Sequence, residues 1–262
     1  MREGSAASPQ RSASLDNRAS IGARLDEERR RASLRGDVRE AIFGAQDGLV
    51  STLAVVSTVS GATDDRFSVL VAGIATALAG IFSMAAGEYL SSKSQREVAL
   101  AQIAIDREKV ATKRKVAEAE LAYMLEEEGL QDDEASAVAA VIARHPEVLL
   151  NTKVEKEFGF AVEEASGSPM QGALVMGTAF GLGALAPILP YLVLSVNVAS
   201  SAAVLATGAV LFAIGIVKTR WTGGNPILSG IEILLVGAMA GVVGYLFGNL
   251  LPQLLGAPAA AG

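Results

Sequence analysis

The chain has 262 residues, 51% of them hydrophobic, with a net charge of −6 and a mean hydropathy of +0.39. It has no cysteine and one histidine, His145. That composition excludes disulfides, thiolate metal sites and a His-rich metal cluster, and leaves His145 as the one residue on which a Ser-His-Asp triad could be built. No basic stripe with interleaved aromatics occurs, so no nucleic-acid partner is expected.

Residues 1–34 are rich in Ser, Ala and Arg, without apolar periodicity or the roughly 7–15-residue apolar core of a secretory signal. They read as a disordered cytoplasmic tail, with Leu25–Leu34 as a short surface helix. From Ala41 to Thr63 the only charge is Asp47. A spanning helix needs about 20 apolar residues, and a carboxylate within one costs about 2.5–3.5 kcal/mol on insertion scales. Asp47 therefore points to a partner helix, a cavity or an ion. Gly44 and Gly48 flank it at GxxxG spacing and predict close approach of another helix. The expectation is a homodimer with the first spans near its two-fold axis.

The polar turn 61–66 separates this span, Ala41–Ser60, from a second, Phe67–Gly87. A polar, helix-favouring stretch then runs from Glu88 to Glu164. Within it Glu97–Glu128 has no Gly or Pro and predicts one helix of ~45 Å, able to continue the second span with a bend. Asp132–Arg144 reads as a second helix, closed by His145-Pro146, and Glu147–Glu164 as a third. Ala165–Val217 has no charge at all and fits two spans, Met170–Leu189 and Ala199–Val217, with Pro187 and Pro190 ending the first. A fifth span covers Ile227–Leu250.

The fold expected is all-α and polytopic: five transmembrane helices with a helical cytoplasmic insert between the second and third. The expected parts are a tail (1–34), spans 1–2 (35–90), the insert (91–165), spans 3–5 (166–252) and a tail (253–262). In this arrangement 21 of the 22 Lys and Arg residues lie on one side, Arg66 being the exception. By the positive-inside rule that side is the cytoplasm, and the N-terminus and insert share it.

The second span runs antiparallel to the first, so Met84 and Glu88 near its cytoplasmic end can reach a depth similar to that of Asp47. Carboxylate oxygens beside a thioether suit a borderline divalent ion such as Fe²⁺ better than Mg²⁺ or Ca²⁺. Glu232, one turn into the fifth span, either lines a path or sits at interface depth. Paired glycines such as Gly177/Gly181 read as packing faces, and the Gly181-x-Gly183 element, with no strand before it, does not bind a nucleotide.

IFGAQDGLVS in the first span, SMAAGEYLSSKSQ ending the second, SPMQGALVMGTAFGLGALAPILPYL in the third and GGNPILSGIEILLVGA opening the fifth resemble, in order and spacing, the vacuolar iron transporter family. The likeness covers about residues 34–251. It implies a five-span homodimer that exchanges cytoplasmic Fe²⁺, and often Mn²⁺, for protons, with a translocation path on Asp47 and Met84. It implies a cell membrane location in a prokaryote and a vacuolar one in a eukaryote, and a cytoplasmic metal-binding role for the insert. There the sequence departs from the family pattern of two ExxE pairs and a Met-Met-x-x-Glu. It reads Asp106-x-x-Lys109, Ala117-x-x-Glu120 and Lys153-Val154-x-x-Glu157. Asp106, Glu120 and Glu157 remain as candidate ligands, but lysine among carboxylates pairs with them and repels a cation.

The expected activity is therefore transport, not enzymatic catalysis, with Asp47, Met84 and Glu88 as the translocation residues. Divalent ions, protons and the lipid bilayer are the expected partners, and no cofactor is expected beyond the transported metal. The alternatives are a membrane-embedded structural or sensor protein whose insert binds a partner, and an intramembrane hydrolase. The absence of cysteine, the placement of the lone histidine in the insert and the lack of a paired acid at the depth of Asp47 on another span count against the hydrolase.

Overall fold

The computed structural model describes residues 9–159 and 168–254; the extreme termini, the end of the expected third insert helix and most of the expected tail 253–262 fall outside the described residues. Among the described residues there are eight helices and no strand: α1 (Pro9–Ala62), α2 (Arg66–Thr112), α3 (Arg114–Glu127), α4 (Asp132–Ile142), α5 (Pro146–Phe158), α6 (Pro169–Val193), α7 (Val196–Thr222) and α8 (Pro226–Leu254). They form two compact units, one of Met1–Ala85 with Leu174–Gly262 and one of Ala86–Ala173.

Four helical stretches in the structure are long and apolar enough to cross a membrane: Gly36–Ala62, Arg66–Thr112, Pro169–Val193 and Val196–Arg220. In α8 the corresponding stretch, Pro226–Met239, is shorter. Residues expected to form a disordered tail are helical from Pro9 onward. Proline is tolerated in a first helical turn, and the following segment is rich in Ala, Arg, Glu and Leu, which favour helix without needing an apolar stripe. The joint between α1 and α2 is short. Asp65 accepts hydrogen bonds from the Phe67 N–H (3.2 Å), the Ser68 N–H (3.0 Å) and the Ser68 hydroxyl (2.5 Å). It thereby satisfies the free amides that open α2. These bonds, the Ser68 hydroxyl first, hold the Asp65 carboxyl below its ordinary range.

In the first unit α6 meets α1 backbone to backbone. A Cβ on Gly44 would lie 2.5 Å from the Met176 carbonyl oxygen, and one on Gly48 would overlap the Phe180 carbonyl. In the reverse direction, a Cβ on Gly183 would overlap the Ala45 carbonyl. The glycine pair expected to face a second copy is thus covered by α6 of the same chain. On its other side α6 meets α2: the Phe180 ring fills the space over Gly80, and Gly177 and Gly181 accommodate Ile81. α7 and α8 cross where Gly215 faces Gly230, and α1 packs on both helices. Two apolar clusters tie the bundle together. One joins Leu53 and Val56 of α1 to Val69, Tyr191, Ala199 and Ala203; the other joins Leu49 to Leu211 and Ile233.

Pro187 and Pro190, expected to end the third span, lie inside α6, which continues to Val193. Each removes one backbone donor, but they stand in the last two turns, and the ladder resumes with the Leu194 N–H on the Pro190 carbonyl at 3.0 Å.

The second unit is built from the later part of α2 with α3, α4 and α5. Its core is one apolar cluster, including Ile103, Val110, Leu121, Leu125, Ala139, Leu149 and Val154. The expected long helix through Glu128 is interrupted at Lys113, which has φ −133° and ψ 47°. The break turns Ala117, Leu121 and Leu125 of α3 onto the same cluster as Ile103 and Val110 of α2, burial that one straight helix could not give. Gly129, at φ 109°, makes the turn out of α3, and Gly159, at φ 73°, ends α5 in the left-handed conformation natural to a C′ glycine.

Replacing Gly48 by alanine should cost about 1–3 kcal/mol, because neither backbone at the crossing can yield to a methyl group. Gly36 on the same helix meets nothing within 4 Å, and Gly36→Ala should leave stability unchanged or slightly raised. Thermal unfolding of the two variants side by side in one detergent checks the contrast.

Candidate functional site

Asp47 is placed by the α1–α6 crossing. Its neighbour Gly48 lies against the Phe180 backbone, so the segment carrying the carboxylate cannot drift from α6. The side chain is half-buried, and among the described residues it makes no hydrogen bond or ion pair. The Ser51 hydroxyl, one turn on, donates to the Asp47 main-chain carbonyl at 2.5 Å and leaves the carboxylate free. Met84, on α2, is half-buried and packs against the α6 cluster of Phe180, Ala184 and Ile188. The segment of α6 around Phe180 is therefore shared, touching the Asp47 segment of α1 on one side and the Met84 segment of α2 on the other. Glu88, one turn beyond Met84 along α2, is half-buried and accepts a 2.5 Å hydrogen bond from the Ser92 hydroxyl.

Glu232 lies 3.9 Å from Lys218, with its side chain 69% exposed. The pair is an exposed one, and Glu232 is not enclosed between helices. The role of α6 is what sequence reasoning missed. The signal was present in the glycines at 177, 181 and 183, which bring α6 onto both of its neighbours. Also unanticipated is a cavity of about 340 Å³ bounded by α1, α7 and α8, lined by Leu53, Ser57, Thr207 and Leu211 among others. No titratable side chain is among its lining residues, whose polar groups are the hydroxyls of Ser57, Ser200 and Thr207.

The three acids expected as ligands in the insert do converge, around an ammonium group. Lys153, only 1% exposed, points its Nζ at Asp106 (2.7 Å), Glu120 (3.3 Å) and Glu157, carboxylates supplied by α2, α3 and α5. Lys109 reaches Glu120 (3.0 Å) across the Lys113 break and Asp106 (3.8 Å) one turn back on its own helix. Burial by itself would lower the Lys153 ammonium. Hydrogen bonds to Asp106 and Glu157, with their charges, outweigh it and hold the group above its ordinary 10.5. Burial raises Glu120, and the Lys109 hydrogen bond with the Lys153 charge and hydrogen bond more than reverse this, leaving it below 4.5.

These residues do not fit a metal ion as they stand. A dication at the focus of the carboxylates would lie roughly 3–4 Å from two ammonium charges. Each would repel it by on the order of 10 kcal/mol at an effective dielectric of 20. Among the described residues no group of three or more His, Cys, Asp or Glu side chains is arranged to hold a metal.

The sequence profile of the VIT family matches residues 38–249. The chain belongs to the VIT family. It is 30% identical over 211 residues to vacuolar iron transporter 1 of Oryza sativa subsp. japonica, covering 79% of this chain and 82% of that protein. It is 31% identical over 209 residues to vacuolar iron transporter 1 of Arabidopsis thaliana, covering 79% and 83%. Vacuolar iron transporter 2 of rice is 31% identical over 226 residues, covering 84% and 90%. The VIT match takes in both Asp47 and Met84 and the whole Lys153 cluster.

The pH dependence of the insert follows from its two shifted groups. A lysine held above 10.5 stabilises the fold fully below 10.5 and loses that contribution only as pH rises through the raised value. A carboxyl held below 4.5 stabilises above 4.5 and loses the contribution as pH falls through the lowered value. Hydrogen-exchange protection in α3–α5, corrected for intrinsic rates, should therefore be level between these limits and fall on the acid side.

Proposed function

We propose that the chain carries a divalent metal ion, Fe²⁺ or Mn²⁺, out of the cytoplasm in exchange for protons, along a path through the first two spans. The observation that carries this reading is the Asp47 carboxylate. It is held on an apolar helix at a glycine-lined crossing and makes no hydrogen bond or ion pair among the described residues. Keeping a carboxylate at such a position without a partner is costly unless an ion supplies the missing charge. Membership of the VIT family and relatives named as vacuolar iron transporters support metal as that ion.

In this mechanism the carboxylate holds either the dication or a proton, so arrival of one releases the other. Met84 adds a soft sulfur, which favours Fe²⁺ over the harder Mg²⁺. Glu88, near the cytoplasmic end of the path, offers a hard oxygen at its entry. The arrangement proposed is five spans, α8 being the fifth, with the N-terminus and insert in the cytoplasm, in a vacuolar or plasma membrane. The chain is proposed to act as a homodimer. Because Gly44 and Gly48 are used within the chain, the dimer needs another surface. α2 offers an exposed apolar stripe, Phe67, Val71, Ile74, Leu78 and Phe82, for lipid or a second copy.

Asp47→Asn keeps the shape and removes the charge. In sealed vesicles with an internal pH dye it should lower Fe²⁺- or Mn²⁺-driven proton movement by about tenfold or more, as expected when a dication loses its charge partner. Met84→Leu should keep flux and lower the preference for Fe²⁺ over Mg²⁺ by a few-fold, worth roughly 1 kcal/mol. Normal flux through Asp47→Asn would remove the carboxylate from the mechanism.

The chain has no native cysteine, so single cysteines at Ser5, Ser136 and Ala260 report topology directly. Ser5 and Ser136 should label from the cytoplasmic face and Ala260 from the other. Labelling of all three from one face would refute the five-span arrangement.

A further inference from the structure

We propose that the Lys153 ammonium is the resident cation of the insert, so that its closed arrangement of helices forms without any divalent metal and does not respond to one. Three carboxylates on three different helices converge on one buried point, the arrangement that ordinarily requires a cation to hold it. Here the cation is covalently attached. Lys153 reaches the focus from α5 and is as buried as the apolar core around it, while Asp106, its partner from α2, is 2% exposed.

Lys109 completes the device. It occupies Glu120, the carboxylate that Lys153 meets at the longest distance, and at 3.8 Å also reaches the Asp106 oxygen bonded to Lys153. Three carboxylates against two ammoniums leave the cluster one negative charge, too little to draw a dication past both lysines. The three helices are tied at a single point from which only Glu120, Glu157 and Lys109 emerge, each about one-third exposed. The inference concerns the insert alone and stands whether or not the membrane unit transports metal.

The test uses the full-length protein in nanodiscs and reads hydrogen exchange in α3, α4 and α5, with Mn²⁺ as the probe ion. In the unmodified protein, protection should be the same in EDTA and in millimolar Mn²⁺. A rise in protection with Mn²⁺ would overturn the proposal. Lys153→Met removes the resident cation and leaves three carboxylates, Asp106, Glu120 and Glu157, with the one ammonium of Lys109. Exchange in EDTA should accelerate by about tenfold or more, and Mn²⁺ should restore part of the protection. Unchanged protection in EDTA would show that the ammonium ties nothing together.

Should Lys153→Met fail to fold, Lys153→Met with Asp106→Leu discriminates. Removing both buried charges together should return a folded insert that is indifferent to Mn²⁺, as replacement of a buried pair by apolar groups generally allows. An insert that stays unfolded in this double variant would assign Lys153 a packing role and refute the proposal.

Discussion

The absence of side chains between α1 and α6 is the constraint on which the membrane unit depends. At Gly44, Gly48 and Gly183 the two backbones touch directly, and the contact leaves no room for sliding or for a compensating rotamer. Helices in lipid gain little from burying apolar groups against each other, because lipid tails are as apolar as leucine. Close van der Waals contact has to supply the association instead. A carboxylate carried on such a seam is fixed relative to α6 to within the tolerance of the seam. That fixity is what an ion site asks of its scaffold, since a ligand displaced by an ångström binds poorly.

The insert solves a different problem with different means. Its apolar cluster of Ile103, Val110, Leu121, Leu149 and their neighbours supplies the drive to collapse, and that drive is non-directional. The buried charges contribute orientation. Asp106 and Lys153 must meet, and any slip of α5 along α2 would strand both away from water. A buried pair of this kind adds little net stability over an apolar replacement but penalises wrong packings heavily. Apolar groups close the unit, and the ion cluster selects which closure it adopts.

Much of this was legible in the sequence. The charge-free run after Ala165 and the single acid in Ala41–Thr63 mark spans by hydropathy alone. A lysine placed three residues from Asp106 and another four from Glu157 announced pairing within the insert. What could not be read was which surface answers which. Gly44 and Gly48 signal close approach but not the identity of the approaching helix, and α6 of the same chain fits as well as a second copy. The Lys113 break has no Gly or Pro to mark it, because it is imposed by distant apolar residues competing for one core. The helical continuation past Pro187 and Pro190 was hidden for the opposite reason. A strong local breaker is overruled where bilayer and neighbouring helices make an open backbone more expensive than a missing hydrogen bond.

The two lysines of the insert, alike on paper, face unequal genetic prospects. A lysine codon is one base from a glutamate codon, so position 109, partly open to solvent, can reverse its charge in a single step and remain hydrated. Position 153 has no such freedom. Loss of the positive charge there while Asp106 keeps its own leaves a buried carboxylate with only the more distant Lys109, at 3.8 Å, to balance it, and breaking a buried pair in this way is costly. Substitutions at 153 are thus conditional on what already stands at 106, and a lineage passing between a lysine-filled and an open cluster must take its mutations in order. Lys109 can drift, whereas Lys153 is held by epistasis.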